Sequence, residues 1–291
     1  MNLSLSSLRN AAPRAAVLAL LLLLARPAFA DLMLFPTRIV FDKAQRAAQV
    51  ELMNQGTKPE TYRINLVNRR MGPNGEFIAI EEAGPGEQFA EAMLRFSPRQ
   101  VTIAPGSSQI VRILLRKPAD LAAGEYRSHL QFDRVAEAGG ASSVEDLARP
   151  GGAAQMGVAI NALVGASIPV IVRHGDTHAS LSLSELALLP PSAANPGGAL
   201  ALQLNREGNR SIYGDVQVNF ITAAGVTHEL ARAGGVAVYV PNTARRALLP
   251  LHLPEGSTPG APLPAGRLQV SFRERPEAGG KLLAESSLAV P

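Results

Sequence analysis

Met156 to Val172 reads MGVAINALVGASIPVIV, and every even-numbered position in it is apolar: Met156, Val158, Ile160, Ala162, Val164, Ala166, Ile168, Val170 and Val172. Side chains of an extended chain point alternately to opposite faces, so the run has the period of a strand. At about 3.3 Å per residue, its 17 residues exceed an ordinary strand of five or six about threefold. Part of it should therefore project beyond the core of a single domain. A strand with surplus apolar length is a pairing hazard unless something covers it. It is also what a protein that lends a strand to another protein's sheet would carry. An ordinary core strand is the plainer alternative, and the pattern alone leaves both open.

Outward from this run, the same period dominates. On its N-terminal side lies Ala136 to Gln155, AEAGGASSVEDLARPGGAAQ, small and glycine-rich, which reads as a mobile loop. Before that loop come Leu32 and Leu34, Ile39 and Phe41, Val50 and Leu52, Tyr62, Ile64 and Leu66, Val101 and Ile103, and Ile110, Ile113 and Leu115. Turn signals separate them: Asn54-Gln55-Gly56, Gly72-Pro73-Asn74-Gly75, Gly84-Pro85-Gly86 and Ala104-Pro105-Gly106. On the C-terminal side, His174-Gly175-Asp176 punctuates the chain and Pro190 to Gly198 reads as a loop. A second set of alternating runs comes after it, including Leu200, Leu202 and Leu204; Val216, Val218 and Phe220; and Leu268, Val270 and Phe272. Short strands at turn-limited spacing predict an all-β protein of antiparallel sandwiches. The division falls after Arg173, giving units 31–173 and 174–291.

The N-terminus has a different character. Arg9 and Arg14 precede an unbroken apolar run from Ala15 to Ala25, and Ala28-Phe29-Ala30 supplies small residues at a cleavage position. This is the pattern of a secretory signal peptide over residues 1–30, cut before Asp31. The apolar run is shorter than the roughly 20 residues a membrane-spanning helix needs, so no stable membrane insertion is expected. Removal leaves 261 residues of the 291, enough for two cores, and takes away three arginines, so the formal net charge falls from +4 to +1. Nucleic-acid binding thereby loses its compositional argument. The chain has no cysteine, which removes disulfides, thiolate metal sites and cysteine nucleophiles together.

Enzymatic chemistry finds little support. Of the five histidines, only His174 and His178 have ligand-like spacing, and the intervening Gly175 favours a turn over the helix that spacing would need. Ser211 and Ser257 lack a nucleophile-elbow context, and Glu81-Glu82 reads as a solvated turn. The expectation is a non-enzymatic protein with no cofactor and no metal.

The motifs Thr37-Arg38-Ile39-Val40-Phe41-Asp42, Val50-Glu51-Leu52-Met53-Asn54, Ser97 to Gly106 (SPRQVTIAPG), Val111-Arg112-Ile113 and Tyr126-Arg127-Ser128 resemble, in order and spacing, the N-terminal domain of periplasmic pilus chaperones of the PapD/FimC type. The resemblance covers about Leu32 to Arg173; the C-terminal half is similar only in size and strand pattern. It implies two immunoglobulin-like sandwiches set at an angle, with a cleft that receives a pilus subunit, and it implies work in the periplasm beside an outer-membrane usher. In that family the last strand of the first domain is donated to a subunit lacking its own. Here that strand falls on the alternating run, with Val158, Ile160, Ala162 and Val164 as the groove-filling side chains, and its exposure leaves self-association open. The family also anchors the subunit's C-terminal carboxylate with an arginine on the first strand and a lysine on the donated strand. Arg38 matches the first, but Pro169 stands where the lysine would be. Arg127, on the neighbouring strand, is the candidate replacement. Members also form an interdomain pair between an acidic residue near the Arg127 position and an arginine after the donated strand, matched here by Arg173; with Arg127 in place, that pair is in doubt. These departures suggest a divergent branch close to the archaic chaperones of spore-coat-U-type pili. A secreted immunoglobulin-like adhesin or pilus component is the alternative reading.

Overall fold

The computed structural model describes residues 32–135, 165–254, 256–257, 260–261 and 263–291. The leader, the glycine-rich stretch before the alternating run, and Val158, Ile160, Ala162 and Val164 lie outside the described residues. Alternation of apolar and polar side chains builds the strands, because each buries one face and wets the other. In β13 (Ile212–Thr222), for example, Ile212, Gly214, Val216, Val218 and Phe220 point inward while Tyr213, Asp215, Gln217 and Asn219 point out.

Two sheets enclose the first core. One is ordered β1 (Leu32–Phe35), β3 (Ala47–Asn54), β8 (Ser108–Leu115) and β6 (Leu94–Ser97). The other runs β2 (Ile39–Phe41), β10 (Ala166–His174), β9 (Gly124–Arg134), β4 (Glu60–Met71) and β5 (Phe77–Ile80), with β7 (Gln100–Ile103) also paired to β4. The first strand changes sheet across Pro36-Thr37-Arg38, where a proline has no N–H to give the ladder. Before the break, β1 pairs antiparallel with β3; after it, β2 runs parallel to β10. This interleaved order is the Greek-key connectivity of an immunoglobulin-like sandwich. Phe41, Leu52, Ile64, Leu130, Phe132 and Val170 lie at its fully buried centre, and each such side chain contributes about 1.5–3 kcal/mol.

The second sandwich repeats the scheme. β11 (Ala179–Leu189), β12 (Ala199–Gly208) and β15 (Ala244–Pro250) face β14 (Thr227–Val238), β13, β16 (Gly266–Glu274) and β17 (Leu282–Val290). Gly214 lets β13 approach β16 closely, since a Cβ there would come within 2.1 Å of the Arg273 carbonyl oxygen.

The turn signals also act structurally. The buried Asn54 side chain donates to the carbonyls of Lys58 and Ile103 and accepts from the Gly56 N–H. Its backbone carbonyl takes the N–H of Gly106, whose φ of 68° suits glycine. Two expected turns are thus tied to each other.

β10 serves both halves. Ile168, Val170 and Val172 enter the first core, whereas Ile171, on the opposite face, joins Met71 in the cluster built around the second sandwich. The β4–β5 hairpin also reaches across. The Asn242 side chain donates to the Met71 carbonyl at 2.9 Å, and the Arg246 N–H donates to that of Pro73 at 2.8 Å.

Candidate functional site: a cationic sheet face against the second sandwich

The outer face of the β2-β10-β9-β4 sheet is set by register. Pro169 lies opposite His129 and Ile171 opposite Arg127 across β10 and β9; Val170 lies beside Ile39 on β2. Strand parity therefore places Arg38, Pro169, His129, Arg127 and Arg69 on one face, the face Ile171 and Met71 bury against the second sandwich.

Arg38 bridges the halves. Its Nη1 donates to the Tyr239 hydroxyl at 2.8 Å, and its guanidinium carbon lies 4.4 Å from the Tyr213 ring centre and 5.2 Å from that of Tyr239. Its other terminal nitrogen, Nη2, is buried without a partner. Arg38 also lines a cavity of about 780 Å³ between the halves, together with Phe35, Val40, Arg210, Tyr213 and Arg275.

Arg127 is 8% exposed and does not line that cavity. Its Nη2 donates to the Arg69 carbonyl at 3.0 Å, and its guanidinium lies 4.2 Å from the centre of the same Tyr239 ring and 5.9 Å from that of Phe77. Nε and Nη1 are buried without acceptors. Burial pushes this guanidinium below its ordinary pKa, with Arg38 adding to the effect. Arg38 and Arg127 thus converge on one phenol ring, although the strands carrying them are separated by β10.

Sequence reasoning did not single out His129 or Arg69. His129 is 1% exposed, meets Phe77 edge-on at 5.0 Å, and has no partner for either ring nitrogen. Its pKa is pushed down to about 3, first by burial and then by Arg127, Arg69 and Arg38, so it is neutral near pH 7. Arg69 donates through Nη2 to Gln131 at 2.6 Å, while its Nε is buried and unpartnered. The available signal was parity: Arg127 and His129 stand two apart on one strand. Tyr213 and Tyr239 carried no such signal, because they come from the other sandwich.

The doubt over the Arg173 pair is corrected. The acidic partner is Glu125, two residues before Arg127 and on the same face of β9. Arg173 Nε donates to it at 3.1 Å, and Arg173 also reaches Asp42 at 3.7 Å. Glu125 is 3% exposed and further accepts from Ser211 of the second sandwich, through the backbone N–H at 3.2 Å and through the hydroxyl. A serine weighed only as a nucleophile is therefore a joint between the halves. A buried carboxylate needs such multiple donors to offset desolvation.

No protein-family model matches the sequence, and no curated protein does. Among solved structures, the chain is similar to the YadV chaperone at 11% identity and TM-score 0.41, over 90% of this chain and 100% of that one. It is similar to the CupB2 chaperone of Pseudomonas aeruginosa at 11% identity and TM-score 0.40, over 88% and 98%. A third is the CsuC–CsuE chaperone–tip adhesion subunit pre-assembly complex from archaic chaperone-usher Csu pili of Acinetobacter baumannii, at 13% identity and TM-score 0.39, over 75% and 89%. At such identities and scores these likenesses assign no role to any residue.

Proposed function

We propose that this chain is a periplasmic chaperone that binds, folds and caps pilus subunits by lending them the strand that begins upstream of β10, and then passes them to an outer-membrane usher. The observation that carries the reading is the uneven pairing of β10. It is paired with β9 along its whole length, from Ala166 to His174, but β2 covers only Val170 to Val172 on its other side. Among the described residues, no strand pairs with Ala166 to Pro169 on that side. An open edge that continues an alternating apolar sequence is suited to strand addition, in which main-chain hydrogen bonds give affinity and alternate side chains fill a groove. The alternation that buries Ile168, Val170 and Val172 continues upstream in the sequence through Val164, Ala162, Ile160 and Val158, the positions proposed to fill the subunit.

The working units are the leader 1–30, the strand-lending unit 31–173 and the second unit 174–291, which supplies the other wall of the cleft. Arg38 is the primary anchor for the subunit's C-terminal carboxylate, since it faces the cavity with a free buried N–H, and Arg127 is the second cation. A guanidinium fork matches a carboxylate, and in a partly buried site that pairing exceeds its value in open water. Arg173, with Glu125, holds the halves that frame the site. No nucleotide is required: folding of the subunit on the lent strand provides the driving force, and the chaperone keeps apolar groove surface from water meanwhile.

The test is co-expression with secreted proteins encoded beside it. Survival of one of them in the periplasm only when this chain is present, as a one-to-one complex, is expected. Absence of any such complex would sink the chaperone reading, and end-to-end polymers of this chain alone would favour the pilus-component alternative.

A further inference from the structure

The cationic face is larger than one carboxylate can satisfy. Arg38, Arg69 and Arg127 each hold a buried N–H without an acceptor, and Arg127 holds two. Among the described residues, none of the three has a carboxylate within ion-pair distance. The acids on the neighbouring strands and turns are already engaged. Glu87 takes Arg70 through two hydrogen bonds, Glu125 takes Arg173 and Ser211, and Asp133 takes Gln131 and Asn65. Within the cluster the polar neighbours Tyr239 and Gln131 bring dipoles only, and the nearest carboxylates, Glu125 and Glu87, act on Arg127 from beyond ion-pair distance. Burying guanidinium groups unpaired is costly, so an arrangement of this kind is completed by its ligand.

The geometry divides the cluster into two stations. Arg38 stands at the cavity and at Tyr239, and Arg127 meets the same ring. Arg69 is on the far side of Arg127: the two are linked through the Arg69 carbonyl, and Arg69 leans along the sheet toward Gln131. One carboxylate has two oxygens and accepts a bidentate fork from one arginine with a further bond from a second. A group held between Arg38 and Arg127 leaves Arg69 unserved. Beside the cluster, Phe77 is 41% accessible and packs edge-on against the buried His129.

Resting on the chaperone reading, we infer that the cleft recognises a tail with two acidic groups, its C-terminal carboxylate at Arg38 and Arg127 and an Asp or Glu side chain close before it at Arg69. Partner choice then depends on the acidity of the tail's last residues as well as on the groove-filling strand. Arg69 is the residue that reads the second acid, and it lies on β4, away from the lent strand.

Three fluorescein-labelled hexapeptides test this by anisotropy with the full mature chain: Gly-Ser-Tyr-Val-Asp-Val with a free carboxylate, its Asn counterpart Gly-Ser-Tyr-Val-Asn-Val, and the Asp peptide as its C-terminal amide. The Asp peptide is expected to bind about tenfold more tightly than the Asn peptide in low salt, with the gap narrowing as salt is added. R69Q should erase that gap while leaving the Asn peptide's affinity unchanged. R112Q, which removes the same charge from an exposed position on β8, should leave the gap intact. Equal binding of Asp and Asn peptides, or an Asp advantage that survives in R69Q, overturns the two-acid inference and leaves the carboxylate anchor standing. Equal binding of acid and amide forms, or no binding of any peptide up to millimolar concentration, overturns the anchor as well.

Discussion

Arg38 donates a hydrogen bond to the Tyr239 hydroxyl at 2.8 Å, joining a strand end of the first sandwich to a residue 201 positions later in the second. The same guanidinium keeps Nη2 free and faces the cavity between the halves. Arg38→Ala is therefore expected to reduce subunit capture by tenfold or more while destabilising the fold by about 1–3 kcal/mol, since it removes one hydrogen bond and two ring contacts worth about 1 kcal/mol each. Pull-down yield and the unfolding midpoint, measured on the same preparation, check this. Unchanged capture would remove Arg38 from the anchor.

Glu125 is the single carboxylate that Arg173 and Ser211 share. Glu125→Ala leaves Arg173 with only the more distant Asp42 and the buried Ser211 hydroxyl without its acceptor, a loss of about 3–5 kcal/mol for breaking a buried pair from one side. Differential scanning calorimetry should show a lower first transition, and the two sandwiches unfolding as separate steps. A single transition at the wild-type temperature would show that the joint lies elsewhere.

His129 makes stability fall with acid. Its folded pKa is pushed down to about 3 by burial and by Arg127, Arg69 and Arg38, below the ordinary value of about 6.5. Between those two values the unfolded chain binds a proton that the folded chain does not. Stability is thus unaffected above about pH 6.5 and declines as pH falls toward 3, by up to about 1.4 kcal/mol per pH unit from this group. His129→Phe should flatten that part of a urea-midpoint series taken at pH 7, 5.5 and 4.5. Parallel acid limbs for both proteins would contradict it.

Gly75, at the tip of the β4–β5 hairpin, has φ of 92°, and a Cβ there would meet the Arg245 guanidinium at 2.3 Å. The flexible arginine can move aside, but the backbone strain stays. Gly75→Val should destabilise by about 1–2 kcal/mol and speed amide exchange at Met71 to Phe77. Unaltered exchange there would mean that the hairpin is not held by this contact.

Much of the architecture was legible in period-two patterning, because burial of one face leaves the same signature in every strand. The runs at Val50, Ile64, Val101, Val216 and Val270 all became core. The sheet change of the first strand was not legible, since nothing local distinguishes β1 from β2 except the intervening Pro36. The site was half legible. Arg38 and Arg127 were singled out through the family resemblance, but their meeting at Tyr239 depends on how two sandwiches pack, and no local pattern encodes that. Glu125 was passed over because the acid was sought at the Arg127 position; a two-residue step along a strand keeps the same face, so the partner survives the shift. Arg69 became visible only through cross-strand register, which sets Val67, two residues before it, opposite His129, 62 positions away.

Completion of the edge leading into β10 by another protein's strand is tested most directly by hydrogen–deuterium exchange of the free chain against its purified one-to-one subunit complex. Amides from residue 156 to Ile168 should exchange at least tenfold more slowly in the complex, while Val170 to Val172, already covered by β2 and β9, change little. Equal exchange over 156–168 in both samples would contradict strand donation, whatever else the two proteins do together.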